Sequence, residues 1–197
     1  AMIGSGAFGT VWLSRNSESG NLSALKVIKK NIRDSTISKF FESEKEILEV
    51  CRGHPRIIEL YDSGEDSENY YFNMEFCPNG DLQQYLMKYP KLPEYKVKAF
   101  FLQISEGLFF LHHYKRVIYR DLKTENILID LHGNLKLSDF GISEKVKLIN
   151  ENRKGIFGSR NITAPEVYSQ RGYTYKADYF SLGVVLLKTI LLSFTIK

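Results

Sequence analysis

The chain has 197 residues, 43% of them hydrophobic, which is enough for one domain with a real core and excludes a disordered chain. Its 27 basic and 23 acidic residues leave a formal charge of +4 with no dense Lys/Arg block, so a nucleic-acid partner is not expected. Residues 10–13 and 22–28 are β-rich runs around the turn-like Asn16-Ser17-Glu18-Ser19-Gly20-Asn21, the pattern of a hairpin. Helical spacing follows over 37–50, and strand character resumes at 57–61 and 70–76 with 62–69 as the polar turn between them.

The elements change character near residue 78. Cys77-Pro78-Asn79-Gly80 is a breaker cluster, read here as a hinge between an N-lobe, 1–77, and a C-lobe, 78–197. Asp81 can cap a helix over 82–89, and 94–114 places Val97, Phe100, Phe101, Ile104, Leu108 and Leu111 along a long buried helix. Short strands are expected at 117–118, 127–129 and 135–137, and a final helix at 175–196. Its apolar part, 180–196, is interrupted by Lys188 and is short for a membrane span, so it reads as a core helix. Strands first and helices later argue an α+β fold in two lobes.

Cys51 and Cys77 form neither a CxxC pair nor a framework of bridges, and Ala1-Met2-Ile3 opens without a basic region and apolar stretch. The expected location is therefore intracellular, cytoplasmic or nuclear, with no membrane contact and both thiols buried.

The chemistry sits in four places. In Gly4-Ser5-Gly6-Ala7-Phe8-Gly9-Thr10-Val11, glycines let backbone N–H groups approach phosphates without Cβ interference. The same spacing occurs in dinucleotide-binding folds, but there the last glycine opens a helix, whereas Thr10-Val11-Trp12-Leu13 is strand-like. In Ala24-Leu25-Lys26-Val27-Ile28 a lysine lies in an apolar strand and needs an anionic partner. Glu44, with Ile47 and Leu48 beside it at i+3 and i+4, would face Lys26, while Glu46 reads as a solvated carboxylate. Finally, Tyr119-Arg120-Asp121-Leu122-Lys123-Thr124-Glu125-Asn126 precedes Asp139-Phe140-Gly141. Phosphoryl transfer needs a carboxylate for the substrate hydroxyl, a cation near the moving group and oxygen ligands for Mg2+. Asp121, Lys123, Asn126 and Asp139 could supply them.

Taken in order, and continued by Ala164-Pro165-Glu166 and Asp178-Tyr179-Phe180-Ser181-Leu182-Gly183, these motifs resemble the eukaryotic protein kinase family over nearly the whole chain. The resemblance implies a bilobal kinase fold: an antiparallel N-lobe sheet plus one helix, and a mainly helical C-lobe missing its last helices. It implies ATP and Mg2+ as cofactors and a protein substrate. Lys26 would hold the α- and β-phosphates and pair with Glu44, Asp121 would be the base, Lys123 would stabilise the transferred group, and Asn126 and Asp139 would bind Mg2+. Nucleotide contacts would come from Ile3, Gly4, Ser5, Gly6, Ala7, Phe8 and Gly9, from Val11, Ala24 and Leu128 around adenine, from the backbone of Glu75 and Cys77 beside the gatekeeper Met74, and from Asp81 near the ribose. Leu48, Leu60, Tyr119 and Phe140 would stack into a spine anchored on Asp178. Lys123 and Ser159 match the Ser/Thr class, and Tyr119 with its neighbours resembles the cyclic-nucleotide-dependent and protein-kinase-C-like group.

The chain departs from that pattern at several points. Thr124 stands at the usual Pro, a loop position where no chemistry is expected, and Ile162 replaces a Tyr common in the substrate-docking segment. From 142 to 163 the only hydroxyls are Ser143, Ser159 and Thr163, and Gly155 sits where many kinases carry a phosphothreonine. Arg120, which would grip such a phosphate, has Glu151 as its one candidate partner. Activity without phosphorylation of this segment is therefore expected, with Ser143→Ala leaving turnover unchanged. The resemblance also implies further helices beyond Lys197 and an Arg for Glu166, so Glu166 is expected to be a buried carboxylate without its pair, and the face 182–192 to lack cover. The alternatives are a regulatory or stabilising protein partner, or a pseudokinase that binds nucleotide or acts as a scaffold.

Overall fold

The computed structural model describes residues 1–6, 9–31, 35–169 and 171–194, except for the side chains of 192–194. The first part is a five-stranded antiparallel sheet of β1 (Met2–Gly6), β2 (Gly9–Arg15), β3 (Leu22–Lys29), β4 (Leu60–Glu65) and β5 (Asn69–Glu75), in the order β1-β2-β3-β5-β4. Successive strand side chains point to opposite faces, so Ala24, Lys26 and Ile28 of β3 are buried together while their neighbours are more exposed. Helix α1 (Thr36–Val50) covers that face with Phe41, Glu44, Ile47 and Leu48, one stripe at helical spacing. Phe41 seats the helix, its ring centroid 4.3 Å from that of Tyr70 and 4.8 Å from that of Phe72.

The second part is mainly helical: α2 (Leu82–Lys88), α3 (Glu94–Phe109), α4 (Pro165–Tyr168) and α5 (Lys176–Phe194). Between them run the short strands β6 (Val117–Ile118), β7 (Ile127–Ile129), β8 (Leu135–Leu137) and β9 (Glu144–Lys145), paired β6 with β9 and β7 with β8. Asp81 caps α2 by accepting the Gln84 N–H at 2.8 Å. On α3, Gly107 faces β8 so closely that a Cβ there would lie 3.0 Å from Leu137 Cδ1 and 3.3 Å from Arg56 Cβ. The architecture is the α+β bilobal one the resemblance implies. One apolar core runs through both parts, from Phe41, Leu48 and Leu60 to Leu108, Leu137 and Leu182.

Two expectations shift in position, and one in burial. The run 57–61 is not a strand: β4 begins at Leu60 and continues through the polar 62–65 expected to be turn. An edge strand open to solvent needs no apolar face, and Tyr61, Asp62, Gly64 and Glu65 are exposed. Ile57 and Ile58 instead cross to the second part, where the Ile58 N–H donates to the Leu137 carbonyl at 2.9 Å. The long helix ends as α at Phe109, continues as a π-helical turn over Phe110–Lys115, and stops at Arg116 in a left-handed conformation with φ 55°. The last helix covers Lys176–Phe194, in line with the expected one as far as the described residues go, 195 and 196 lying outside them. Glu166 is half-buried, so the penalty expected of a fully buried unpaired carboxylate does not arise. Leu187 and Leu191 are exposed, as expected for that face, while Leu182 and Val185 are buried. Among the described residues, no helix is long and apolar enough to cross a membrane.

Leu108→Ala, at a fully buried position, should cost about 2–5 kcal/mol, whereas Leu102→Ala on the exposed face of α3 should change stability by less than about 0.5 kcal/mol. Urea unfolding of the two variants measures the contrast.

Candidate functional site

The segment that joins the two parts is built locally. Cys77 and Gly80 close a turn, N–H to carbonyl at 3.3 Å, with Gly80 at φ 72°, and the Gly80 carbonyl accepts from the Ile129 N–H at 2.9 Å. β7 is thereby tied to that segment, and Leu128 is carried beneath the sheet. The space between sheet and helices is a cleft of about 830 Å³, a size suited to a small-molecule ligand.

On the sheet side, alternation of β3 and the helical stripe of α1 bring Lys26 and Glu44 together. Lys26 Nζ donates to Glu44 Oε1 at 2.7 Å and Oε2 at 3.0 Å, and to Asp139 Oδ1 at 3.1 Å. Burial alone would lower the lysine pKa, but the carboxylates of Glu44 and Asp139 outweigh it and hold the ammonium above its ordinary value. Burial pushes the Glu44 carboxyl up, with Lys26 opposing. Glu46, two residues on, pairs with Lys145 at 2.6 Å on an exposed surface.

On the helical side, the loop between β6 and β7 closes around Asp121. Ser159 Oγ donates to Asp121 Oδ1 at 2.9 Å and accepts from Lys123 Nζ at 3.2 Å. Asp121 Oδ2 accepts from Lys123 Nζ at 2.6 Å and from Asn126 Nδ2 at 2.8 Å. Because Nδ2 of Asn126 is spent on Asp121, its Oδ1 is left as an oxygen donor; Asp139 likewise keeps Oδ2, since Oδ1 faces Lys26. Two oxygens suit Mg2+, which takes one or two protein ligands and completes its shell with phosphate and water. The donor set therefore fits that ion. Among the described residues, no cluster of three His, Cys, Asp or Glu offers a cage made by protein alone.

The backbone is strained next to Asp121 and at Asp139. Arg120 has φ 70° and Asp139 φ 54°, left-handed conformations that cost a non-glycine residue about 1–3 kcal/mol. Asp178, at the start of α5, holds the first of them. Its carboxylate accepts the N–H groups of Tyr119 and Arg120, each at 2.8 Å, and faces His112 Nε2 at 2.7 Å. An ionised carboxylate only accepts, so Nε2 carries the proton, and His112 Nδ1 is left buried without a partner among the described residues. Leu48, Leu60, Tyr119 and Phe140 are all fully buried in the one core, with the Tyr119 and Phe140 rings edge to face at 5.2 Å.

These strand, loop and anchor features extend along the whole sequence. A sequence model described as "Protein kinase domain" matches residues 1–196. The chain belongs to the protein kinase family. Similar proteins include a mitogen-activated protein kinase kinase kinase, MST11, of Pyricularia oryzae, 35% identical over 95% of this chain and 22% of that protein. The eye isozyme of protein kinase C from Drosophila melanogaster is 33% identical over 94% of this chain and 26% of its own length. Human protein kinase C eta type is 34% identical over 94% of this chain and 27% of its own. The kinase chain thus spans about a quarter of the length of these curated relatives, and the protein kinase C members agree with the resemblance seen in the sequence.

The cleft of this kinase brings together the expected contact residues: Ile3, Gly4, Ser5, Gly6, Gly9, Val11, Ala24, Lys26, Glu44, Met74, Glu75, Cys77, Asp81, Asp121, Lys123, Asn126, Leu128 and Asp139 all line it. Ala7 and Phe8 lie outside the described residues. Burial pushes the Cys77 thiol up to about 12, so it packs as an apolar group and not as a nucleophile.

Two residues behave otherwise than the sequence suggests, and the structure adds a contact for a third. Thr124 is fully buried, its hydroxyl accepting from Lys188 Nζ at 3.0 Å and facing Gln83 Oε1 at 2.9 Å, so it joins the loop to α2 and α5. Arg120 pairs with Glu144 at 2.7 Å, and Glu151 with Arg153 at 2.8 Å. Ser143 is buried and donates to the Tyr119 carbonyl at 2.9 Å. Ser143→Ala should cost about 1 kcal/mol in urea unfolding while leaving turnover per folded molecule unchanged. Asp178→Ala, which orphans the donors it holds, should cost about 3–5 kcal/mol in the same measurement.

Proposed function

We propose that the chain is the catalytic unit of a Ser/Thr protein kinase, intracellular, that transfers the γ-phosphate of ATP to hydroxyls of protein substrates. Residues 1–77 and 78–197 act as its two lobes, closing on nucleotide between them. The observation that carries the proposal is the arrangement around Asp121: Lys123, Ser159 and Asn126 fix its carboxylate in the same cleft that holds Lys26, Glu44 and Asp139.

Bound ATP and Mg2+ supply the transferable phosphoryl group and its leaving group. The chain's own residues do the rest. Val11, Ala24, Met74 and Leu128 offer apolar walls to a flat base, with the backbone of Glu75 and Cys77 at its edge. Asp81 uses one oxygen to cap α2 and keeps the other for a ribose hydroxyl. Lys26, already charged and oriented by Glu44, presents its ammonium to phosphate oxygens. Asn126 Oδ1 and Asp139 Oδ2 are the oxygens that would hold Mg2+. Asp121 orients the substrate hydroxyl and accepts its proton, and Lys123 offsets negative charge developing beside it. Ser159, bonded to both, ties the substrate-side segment to the base, which supports a Ser/Thr over a Tyr acceptor.

Transfer of labelled γ-phosphate from ATP with Mg2+ to a generic basic protein tests the proposal. Asp121→Asn should lower the rate by about 10²–10⁴-fold while the thermal shift caused by ATP and Mg2+ persists. Equal transfer by both chains would overturn the enzyme reading and leave a nucleotide-binding scaffold.

A further inference from the structure

Arg120, next to the catalytic carboxylate, is the residue to which a phosphorylated segment would dock. In this chain three of its five N–H donors already have partners. Nε donates to the Ile142 carbonyl at 2.5 Å, and NH1 to Glu144 Oε2 at 2.7 Å and to Tyr173 Oη at 3.2 Å. The Phe157 ring stacks on it, 4.2 Å from the guanidinium carbon to the ring centroid, and only 8% of the side chain is exposed. A phosphate would have to displace these partners from Nε and NH1.

The carboxylate that occupies Arg120 extends into a network. Glu144 Oε1 accepts from Arg153, whose other arm donates to Glu151 Oε1 at 2.8 Å. Glu151 Oε2 in turn accepts the Lys147 N–H at 3.1 Å. The Arg153 backbone pairs with Tyr173 in both directions, at 2.8 and 2.9 Å. The segment also lies directly on the catalytic loop: Gly158 has φ 96°, and a Cβ there would sit 2.6 Å from the Arg120 carbonyl oxygen.

The hydroxyls that could carry a phosphate are spent. Ser143 donates to the Tyr119 carbonyl, Ser159 to Asp121, and Thr163 to the Ser159 carbonyl at 2.9 Å. β9 is two residues long, and strand alternation sends its neighbours to opposite sides. Glu144 reaches down to Arg120, and Lys145 reaches up to Glu46 on α1, the helix that carries Glu44.

We propose that Glu144 and Lys145 form a built-in latch that replaces segment phosphorylation, with Glu144 holding the substrate-side segment on Arg120 and Lys145 holding α1 over the site. Glu144 and Lys145 are positioning residues: neither touches the reacting groups. The latch rests on the kinase reading, but its effect on segment order can be measured without any transfer reaction.

The test uses the chain freed of phosphate by phosphatase and verified by mass spectrometry. It should transfer phosphate as well as the untreated chain does. Glu144→Gln keeps the shape and removes the charge. It should speed amide hydrogen exchange over 142–163 and lower kcat/KM for protein substrate by about 10-fold, mainly through KM, with KM for ATP unchanged. Glu144→Asp should recover part of both effects. Lys145→Glu should loosen α1 in exchange, and the swap Glu46→Lys with Lys145→Glu should restore it. A dephosphorylated chain that is silent until rephosphorylated, or Glu144→Gln with unchanged exchange and unchanged KM, overturns the latch. If the parent chain and Asp121→Asn transfer equally little, the kinase reading fails instead, and exchange over 142–163 still decides whether the latch exists.

Discussion

The site depends on one buried carboxylate. Asp178 is almost wholly withdrawn from water, an expensive place for a charge, and is repaid by backbone N–H groups of Tyr119 and Arg120 and by His112. Its place in the first turn of α5 adds the favourable end of the helix dipole. What this secures is a strained turn. Arg120 at φ 70° would relax if its N–H were released, and Asp121, the next residue, would turn with it. The placing of Asp121 therefore rests on a contact between residues far apart in the chain, one in a loop and one at the start of the last described helix.

Charge pairs divide into two kinds here. Lys26 with Glu44 is deeply buried and has both glutamate oxygens engaged, so removing either partner would strand the other in the interior. Lys145 with Glu46 lies in water, where a lone pair contributes little to stability. Its significance is positional, because it joins α1 to the strand whose other residue grips Arg120. Arg120, Glu144 and Arg153 run between these extremes, from a nearly buried side chain to one a third exposed, linked in series so that each ion limits the freedom of the next.

Much of this was legible in the sequence, and the misses share a cause. The pairing of Lys26 with Glu44 followed from two local periodicities, the strand's and the helix's, each readable within a few residues. The partner of Arg120 was sought at Glu151 and found at Glu144, because the choice depends on how β9 pairs with β6, a register that no local pattern specifies. β4 was displaced because an edge strand exposed to solvent lacks the apolar alternation by which strands are recognised. Thr124 looked inert because a hydroxyl in a loop acquires meaning only when a lysine from α5 comes to meet it.

By itself the sequence determined the α+β class, the turn at 77–80, the apolar faces of α1 and α3, and which residue types were available for phosphoryl transfer, since these follow from local spacing and from side-chain chemistry. Only the tertiary structure decided which of those groups meet, how the strain at Arg120 and Asp139 is held, and where Glu144, Lys145 and Thr124 find their partners. The physical reason is that hydrogen bonds and ion pairs are set by distances of about 3 Å. Such distances between remote residues are fixed by the packing of α5, the loop and the sheet around one shared core.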